Sequence, residues 1–208
     1  MVRQLEHTGV VPPRSARTIL LGVAVAGVAA DQVAKQAVIA SLDPGVPVPL
    51  VGRLLQLYLI RNPGAAFSLG EGSTWVFAVL ASLVLLAVLV VALPRVRHWG
   101  WAVTLGLLAA GVAGNLTDRL LRPPAAFRGH VVDFLMLPYW PIFNVADMMI
   151  CAAAVLVVVL SFFGHHGPTG RPYDHDHRTR DEKEPGVAPG ATPVESAEDA
   201  PDDRGARA

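Results

Sequence analysis

Along the first 164 residues, apolar runs of about twenty positions alternate with shorter polar stretches rich in Pro, Gly and Arg. A helix needs about 20 residues to cross ~30 Å of hydrocarbon, so these runs predict four membrane helices. They fall at Arg17–Ser41, Trp75–Leu93, Trp101–Leu121 and Pro141–Phe163. The second carries no charged residue and is the plainest of the four. The pure apolar stretch of the first ends at Ala30, and its helical pattern continues through Asp31 and Lys35. Those two are spaced i,i+4 with the acid first, the better order for a pair on a helix. A basic N-terminus followed by Ile19–Ala30 also has the form of a cleaved signal peptide, with Val28-Ala29-Ala30 as the cut. The pattern running on past Ala30 argues for a retained span. Trp75, Trp99, Trp101, Tyr139 and Trp140 sit near predicted helix ends, as interfacial aromatics do.

The connections carry a different pattern. Leu54–Ile60, preceded by Gly52 and by Pro44, Pro47 and Pro49, is too short for a fifth span and reads as strands of a small sheet. Arg61-Asn62-Pro63-Gly64 after it is a turn signal. Val131-Val132-Asp133-Phe134-Leu135 is also short and β-rich, so it is expected to lie strand-like at the interface. Basic residues crowd Arg3, Arg14 and Arg17 before the first helix, Arg95 and Arg97 between the second and third, and Arg171, Arg178, Arg180 and Lys183 after the fourth. By the positive-inside rule both termini are cytoplasmic, which puts the loops 42–74 and 122–140 outside.

Composition divides the chain once more. Residues 165–208 hold 16 of the 34 charged residues and few large apolar ones, so they are expected to form a disordered cytoplasmic tail. Three parts follow: a cytoplasmic segment 1–16, a membrane domain 17–164, and the tail. The fold class expected is an all-α membrane protein with a small extracytoplasmic β-sheet. The single cysteine, Cys151, excludes an internal disulfide and reads as an inert buried thiol. Net charge near zero gives no reason to expect a nucleic-acid partner. No combination of residues resembles a metal site: His130 stands alone in the outer region, and the tail histidines His165, His166, His175 and His177 read as solvated. Ser68 and Lys35 do not form a nucleophilic dyad. No cofactor is expected.

Outside the tail there are seven acidic residues, and four of them mark the chemistry. Up-and-down connectivity brings Asp31, Asp118, Asp133 and Asp147 to one side of the membrane. Acids at the edge of apolar segments are costly and point to function. Two of them meeting where water is scarce suggest acid–base chemistry, with Asp133 and Asp147 as the pair. Asn144 and Asp147 share a helix face, Asp147 lying in the second turn if the helix starts at Pro141. Asn115, Asp118, Arg119 and Arg122 form one helical stripe, in which Asp118 reads as the counter-ion of Arg119 and Arg119 as able to pin a carboxylate or a substrate carbonyl. Gly111 and Gly114 would let helices approach closely. A proton-coupled transporter or channel subunit relaying through Asp31, Asp118 and Asp147 is the competing reading. It lacks ionisable groups in the inner half of the bundle.

Five pieces in order, Asp31-Gln32-x-x-Lys35, Arg61-Asn62-x-Gly64-Ala65-Ala66-Phe67, Gly114-Asn115-x-x-Asp118-Arg119, Val132-Asp133-Phe134 and Phe143-Asn144-x-Ala146-Asp147, resemble the bacterial lipoprotein signal peptidase (signal peptidase II) family. The resemblance covers roughly residues 18–163, with Pro63 a small departure, and leaves the tail without a counterpart. It implies a multi-pass aspartic endopeptidase of the bacterial inner membrane. Its partners would be prolipoproteins carrying a diacylglyceryl group on the lipobox cysteine, cut just before that cysteine, and membrane lipids. By matching motif Asp133 and Asp147 are catalytic, and Asn62, Gly64, Asn115, Arg119, Asn144 and Ala146 bind or orient substrate. Asp31, Lys35 and Asp118 support the site. Sensitivity to globomycin and a monomeric state are expected as well.

Overall fold

A computed structural model of the chain describes residues 9–64 and 74–173. Its helices are α1 (Pro13–Ser41), α2 (Thr74–Ala87, carried on by a π-helical stretch Val88–Ala92), α3 (Trp99–Leu121) and α4 (Val145–Phe162). Each is long and apolar enough to cross a membrane. The strands β1 (Val48–Val51), β2 (Leu55–Asn62) and β3 (Val131–Met136) form one antiparallel sheet in the order β1-β2-β3. Four spans and a small sheet are therefore the architecture, as the sequence pattern predicts. The expected disorder of residues 174–208 and the motif residues Ala65, Ala66, Phe67 and Ser68 lie outside the described residues.

Helix α3 is the centre of the bundle and packs against α1, α2 and α4. Small residues on its faces permit this. At Gly114 an added Cβ would lie 2.6 Å from Asp31 Oδ2 and 3.1 Å from the Cβ of Ala146, so α1 and α4 both close on this position. At Gly111 it would lie 2.6 Å from Ile150 of α4. The remaining faces of α1, α2 and α4 turn large apolar side chains outward, among them Val25, Leu83, Leu86, Val155 and Phe162. Such a surface is stable against hydrocarbon, where only backbone bonded within the helix is tolerated. Cys151 lies on that outward face, not in the protein interior as its apolar neighbours suggest.

Two boundaries differ from the sequence reading in ways that matter. Helix α1 starts four residues early because Pro13 occupies its first turn, where a missing N–H costs nothing. Helix α4 starts at Val145, four residues late. Residues 141–143 are held by the sheet instead: Phe143 N donates to Leu135 O at 3.0 Å, and Phe143 O accepts from Leu135 N at 2.8 Å.

The sheet and the opposite end of the bundle close the structure differently. Val132 and Phe134 of β3 pack with Val38 of α1 and Leu59 of β2, tying the sheet to the bundle. Alternation along β3 then sends Asp133 to the other face. The β2–β3 register slips by one residue between Leu57 and Ile60, which sets Ile60 rather than Leu59 opposite Asp133. At the far end three chain segments meet. Val11 N donates to Arg97 O at 2.7 Å, Trp99 N to Gly9 O at 3.0 Å, and Arg97 N to Pro168 O at 2.9 Å. Trp101 is turned inward and its Nε1 donates to His166 O at 3.1 Å, so it is a core residue rather than an interfacial anchor. Residues 165–173, which composition groups with the tail, thus belong to the described fold as an ordered turn closed by the His166–Pro172 bridge.

Candidate active site

Elements from four places converge at the sheet end. Asn62 ends β2, Asp133 sits in β3, Asn115, Asp118 and Arg119 occupy the last two turns of α3, and Asn144 and Asp147 open α4. A cavity of about 420 Å³ lies between them. Its polar wall is Asn62, Gly64, Asn115, Arg119, Asp133 and Asp147, and its apolar wall is Val131 with residues 140–143. The two carboxylates singled out by their position in the sequence thus line one cavity.

Each is held by amides. Asp133 Oδ2 accepts from Asn62 Nδ2 at 2.8 Å and Oδ1 from Asn144 Nδ2 at 2.6 Å. Asp147 Oδ1 accepts from Asn115 Nδ2 at 2.8 Å, and Oδ2 from the Asn144 backbone N–H at 3.1 Å. Asn144 therefore stands behind both acids. It is the N-cap of α4, its Oδ1 accepting from Asp147 N at 3.1 Å, and together they make a reciprocal capping box. With the helix starting at Val145, Asp147 lies in the first turn, not the second. It combines a helix-capping role with its place in the cavity.

Beneath this layer lies a buried ionic cluster. Lys35 Nζ pairs with Asp31 Oδ2 at 2.9 Å and with Asp118 Oδ2 at 2.8 Å, all three side chains fully buried. Its third bond runs to Asn115 Oδ1 at 3.1 Å. A lysine ammonium only donates, so that contact turns the Asn115 NH₂ toward Asp147. Asp31 Oδ1 accepts from Ala146 N at 3.0 Å and fixes the first turn of α4. Ala146 is fully buried at this contact and does not line the cavity, so it positions α4 rather than touching a ligand. Asp118 bonds Arg122 Nε at 2.5 Å and accepts from Val132 N at 3.2 Å. Its partners are Lys35 and Arg122, not Arg119, because residues 118 and 119 leave α3 in different directions.

Arg119 instead reaches the loop after β2. Nη2 donates to Gly64 O at 2.9 Å, and the guanidinium lies 5.4 Å from the centre of the Phe77 ring. Its buried Nη1 has no hydrogen-bond partner among the described residues. An unpaired buried donor costs free energy unless something accepts from it. Asn62 Oδ1 accepts from Gly64 N at 3.0 Å, closing the Asn-Pro-Gly turn, and Thr74 Oγ1 donates to Pro63 O at its middle.

Burial pushes the Asp133 carboxyl from its ordinary 3.8 up to about 6, and the nearby Asp147 charge adds to the rise. The Asn62 and Asn144 hydrogen bonds and the Lys35 charge oppose it without cancelling it. Spacing alone did not reveal Gln32, whose Nε2 donates to Asp31 Oδ2 and Gly114 O at 3.1 Å each and bridges α1 to α3. The signal available was an amide beside Asp31 in an otherwise apolar helix.

The chain is similar to known proteins in sequence and in fold. The family model described as "Signal peptidase (SPase) II" matches residues 23–163. The chain is 46% identical over 154 residues to a lipoprotein signal peptidase of Mycobacterium avium (strain 104), covering 74% of this chain and 84% of that one. It is 44% identical over 153 residues to a lipoprotein signal peptidase of Mycobacterium tuberculosis (strain ATCC 25618 / H37Rv), covering 74% and 75%. A solved bacterial membrane enzyme superposes with a TM-score of 0.61 at 28% identity, covering 69% of this chain and 87% of that one.

Proposed function

The chain belongs to the lipoprotein signal peptidase (signal peptidase II) family of membrane aspartic peptidases, which remove signal peptides from prolipoproteins, and on that premise we propose that Asp133 and Asp147 are its catalytic dyad. The substrate is a precursor whose lipobox cysteine bears a diacylglyceryl group, and the bond cut is the one just before that cysteine. The observation that carries the reading is the pair of carboxylates facing one cavity, each with both oxygens held by amide donors.

Two carboxylates on one cavity do not both ionise readily, so the pair shares a proton and titrates as a unit. A water between them gives its proton to the ionised member and attacks the scissile carbonyl carbon. The protonated member donates to the carbonyl oxygen as the tetrahedral intermediate forms, and the dyad then passes a proton to the departing amine of the cysteine. Arg119 lines the cavity, and its Nη1, without a partner among the described residues, supports a role in binding a substrate carbonyl once substrate opens a path to it. Asn62, Asn115 and Asn144 hold both acids in position for the attack.

Membrane position supports the same substrate. The cavity lies at the bilayer-boundary end of the spans, where water is available and the two acyl chains stay in lipid, each buried CH₂ contributing ~0.8 kcal/mol. Arg14, Arg17, Arg95 and Arg97 all lie at the end away from the sheet, which supports a cytoplasmic position for that end, for both termini and for the tail.

The test is cleavage of a diacylglyceryl-modified prolipoprotein by the purified full chain. Wild type cleaves, globomycin blocks it, and a chelator does not. Asp133→Asn and Asp147→Asn each lose activity by about 10³-fold, within the range for removing a general acid or base, while remaining folded. Near-wild-type turnover by either folded variant overturns the dyad.

A further inference from the structure

A second cleft, of about 460 Å³, opens away from the carboxylates. Arg61 and Asn62 are neighbours in β2, so their side chains leave opposite faces of the sheet, Asn62 toward the cavity and Arg61 toward this cleft. The basic wall is Arg61 and Arg122 with the His130 imidazole beside them, and the apolar wall is Ile39 with the Pro123–Pro124 pair; Gln36 completes the lining. Among the described residues no acidic one lines it. Asp118 is the carboxylate that they place in contact with its basic groups, fully buried behind Arg122 and already shared with Lys35. Among the described residues the side chains of Arg61 and His130 make no hydrogen bond or ion pair, and Arg122 commits only Nε.

The depth of the cleft decides what would fill it. Gln36 and Ile39 lie in the last two turns of α1, Arg122 caps the C-terminus of α3, and β2 lies in the sheet beyond the spans. This is the plane at which lipid headgroups sit beside the bundle. Cations gathered there with an apolar wall below them match an anionic headgroup whose acyl chains continue down the helices. Arginine forks suit phosphate oxygens, and a zwitterionic lipid would bring a second cation into a cleft that offers it no acid among the described residues.

We propose that the cleft bounded by Arg61, Arg122 and His130 binds the phosphate of an anionic phospholipid from the surrounding leaflet. The site is separate from the catalytic cavity, so it stands or falls independently of the dyad.

The test uses the full chain in phosphatidylcholine vesicles containing trace spin-labelled phosphatidylglycerol or spin-labelled phosphatidylcholine, reading the motionally restricted fraction of each. Wild type retains phosphatidylglycerol preferentially. Arg61→Gln reduces that preference about fivefold, the worth of one basic residue at a membrane surface, and Arg61→Gln with His130→Gln reduces it further. Arg14→Gln, at the opposite end of the bundle, leaves it unchanged. Cleavage of precursor in pure phosphatidylcholine vesicles by the double variant shows that it is folded. If it is not, Arg61→Glu at the same exposed strand position serves, and reverses the preference. A preference untouched in these variants, or lost equally in Arg14→Gln, overturns the proposal. Displacement of the labelled lipid by inorganic phosphate alone would make this a free-oxyanion site and overturn the lipid assignment.

Discussion

At the end of the bundle where the described chain begins and finishes, Ala16, Leu20, Val96, Trp101 and Ala102 form a core without a charge, closed over by backbone hydrogen bonds. At the sheet end Asp31, Lys35, Asp118, Arg119, Asp133 and Asn144 are all buried. Apolar packing stabilises without directing anything in particular. Buried ions cost desolvation that their pairing repays only with good geometry, so such a cluster is a poor way to gain stability. What it provides is orientation. Lys35 sets the Asn115 amide, Asn115 and Asn144 set the two acids, and Asp31 sets the first turn of α4. One end of the protein holds the helices together, and the other fixes the directions of a few polar atoms.

That division can be broken at either end. Lys35→Met strands Asp31 and Asp118 beside each other without their shared cation, and should cost roughly 5 kcal/mol with complete loss of cleavage, since breaking a buried pair leaves uncompensated charge. Thermal unfolding in detergent and precursor cleavage read both effects. Trp101→Ala should cost roughly 4 kcal/mol, as large aromatic truncations in cores do, yet leave turnover per folded molecule intact. If Trp101→Ala lowers the turnover of the folded fraction as Lys35→Met does, the two ends are not separate in function.

A third experiment sharpens the comparison through pH. Asp133 holds its proton to about 6 in the folded protein against an ordinary 3.8. Between those values the folded state binds more protons than the unfolded one, so stability from this group is full below the lower value and is lost as pH rises through the upper. Relative to Asp133→Asn, wild type should gain roughly 3 kcal/mol on going from pH 7 to below pH 4, at ~1.4 kcal/mol per unit. Parallel melting curves for the two proteins across that range would remove the assignment. Precursor cleavage should correspondingly decline as pH rises above about 6, where the dyad loses the proton it donates. The smallest effect is reserved for Arg119→Lys, which keeps the charge but loses the fork. It should lower kcat/KM about tenfold, roughly 1.4 kcal/mol, and leave the melting temperature nearly unchanged.

Much of this was legible along the chain. Four spans follow from apolar run length, and the topology alone brings Asp31, Asp118, Asp133 and Asp147 to one level. The Asp31–Lys35 pair follows from i,i+4 spacing. What escaped were features set by contacts between distant segments. Phe143 pairs with Leu135, and that pairing delays α4 and makes Asn144 a cap. Asp118 finds Lys35 across a helix interface, a partner that no spacing within α3 reveals. Trp101 faces inward because the turn after α4 folds back over it. In each case a local pattern named the residue correctly and a remote strand, helix or turn decided its role.

The burial of Lys35 has a practical consequence. The chain contains two lysines, Lys35 and Lys183. The first has no solvent-accessible side-chain surface and all three ammonium protons engaged, by Asp31, Asp118 and Asn115. An amine-reactive reagent can therefore acylate position 35 only when α1 separates from α3. Mass-spectrometric labelling at that one residue clocks the opening of the bundle, and a ligand that tightens the bundle would slow the clock.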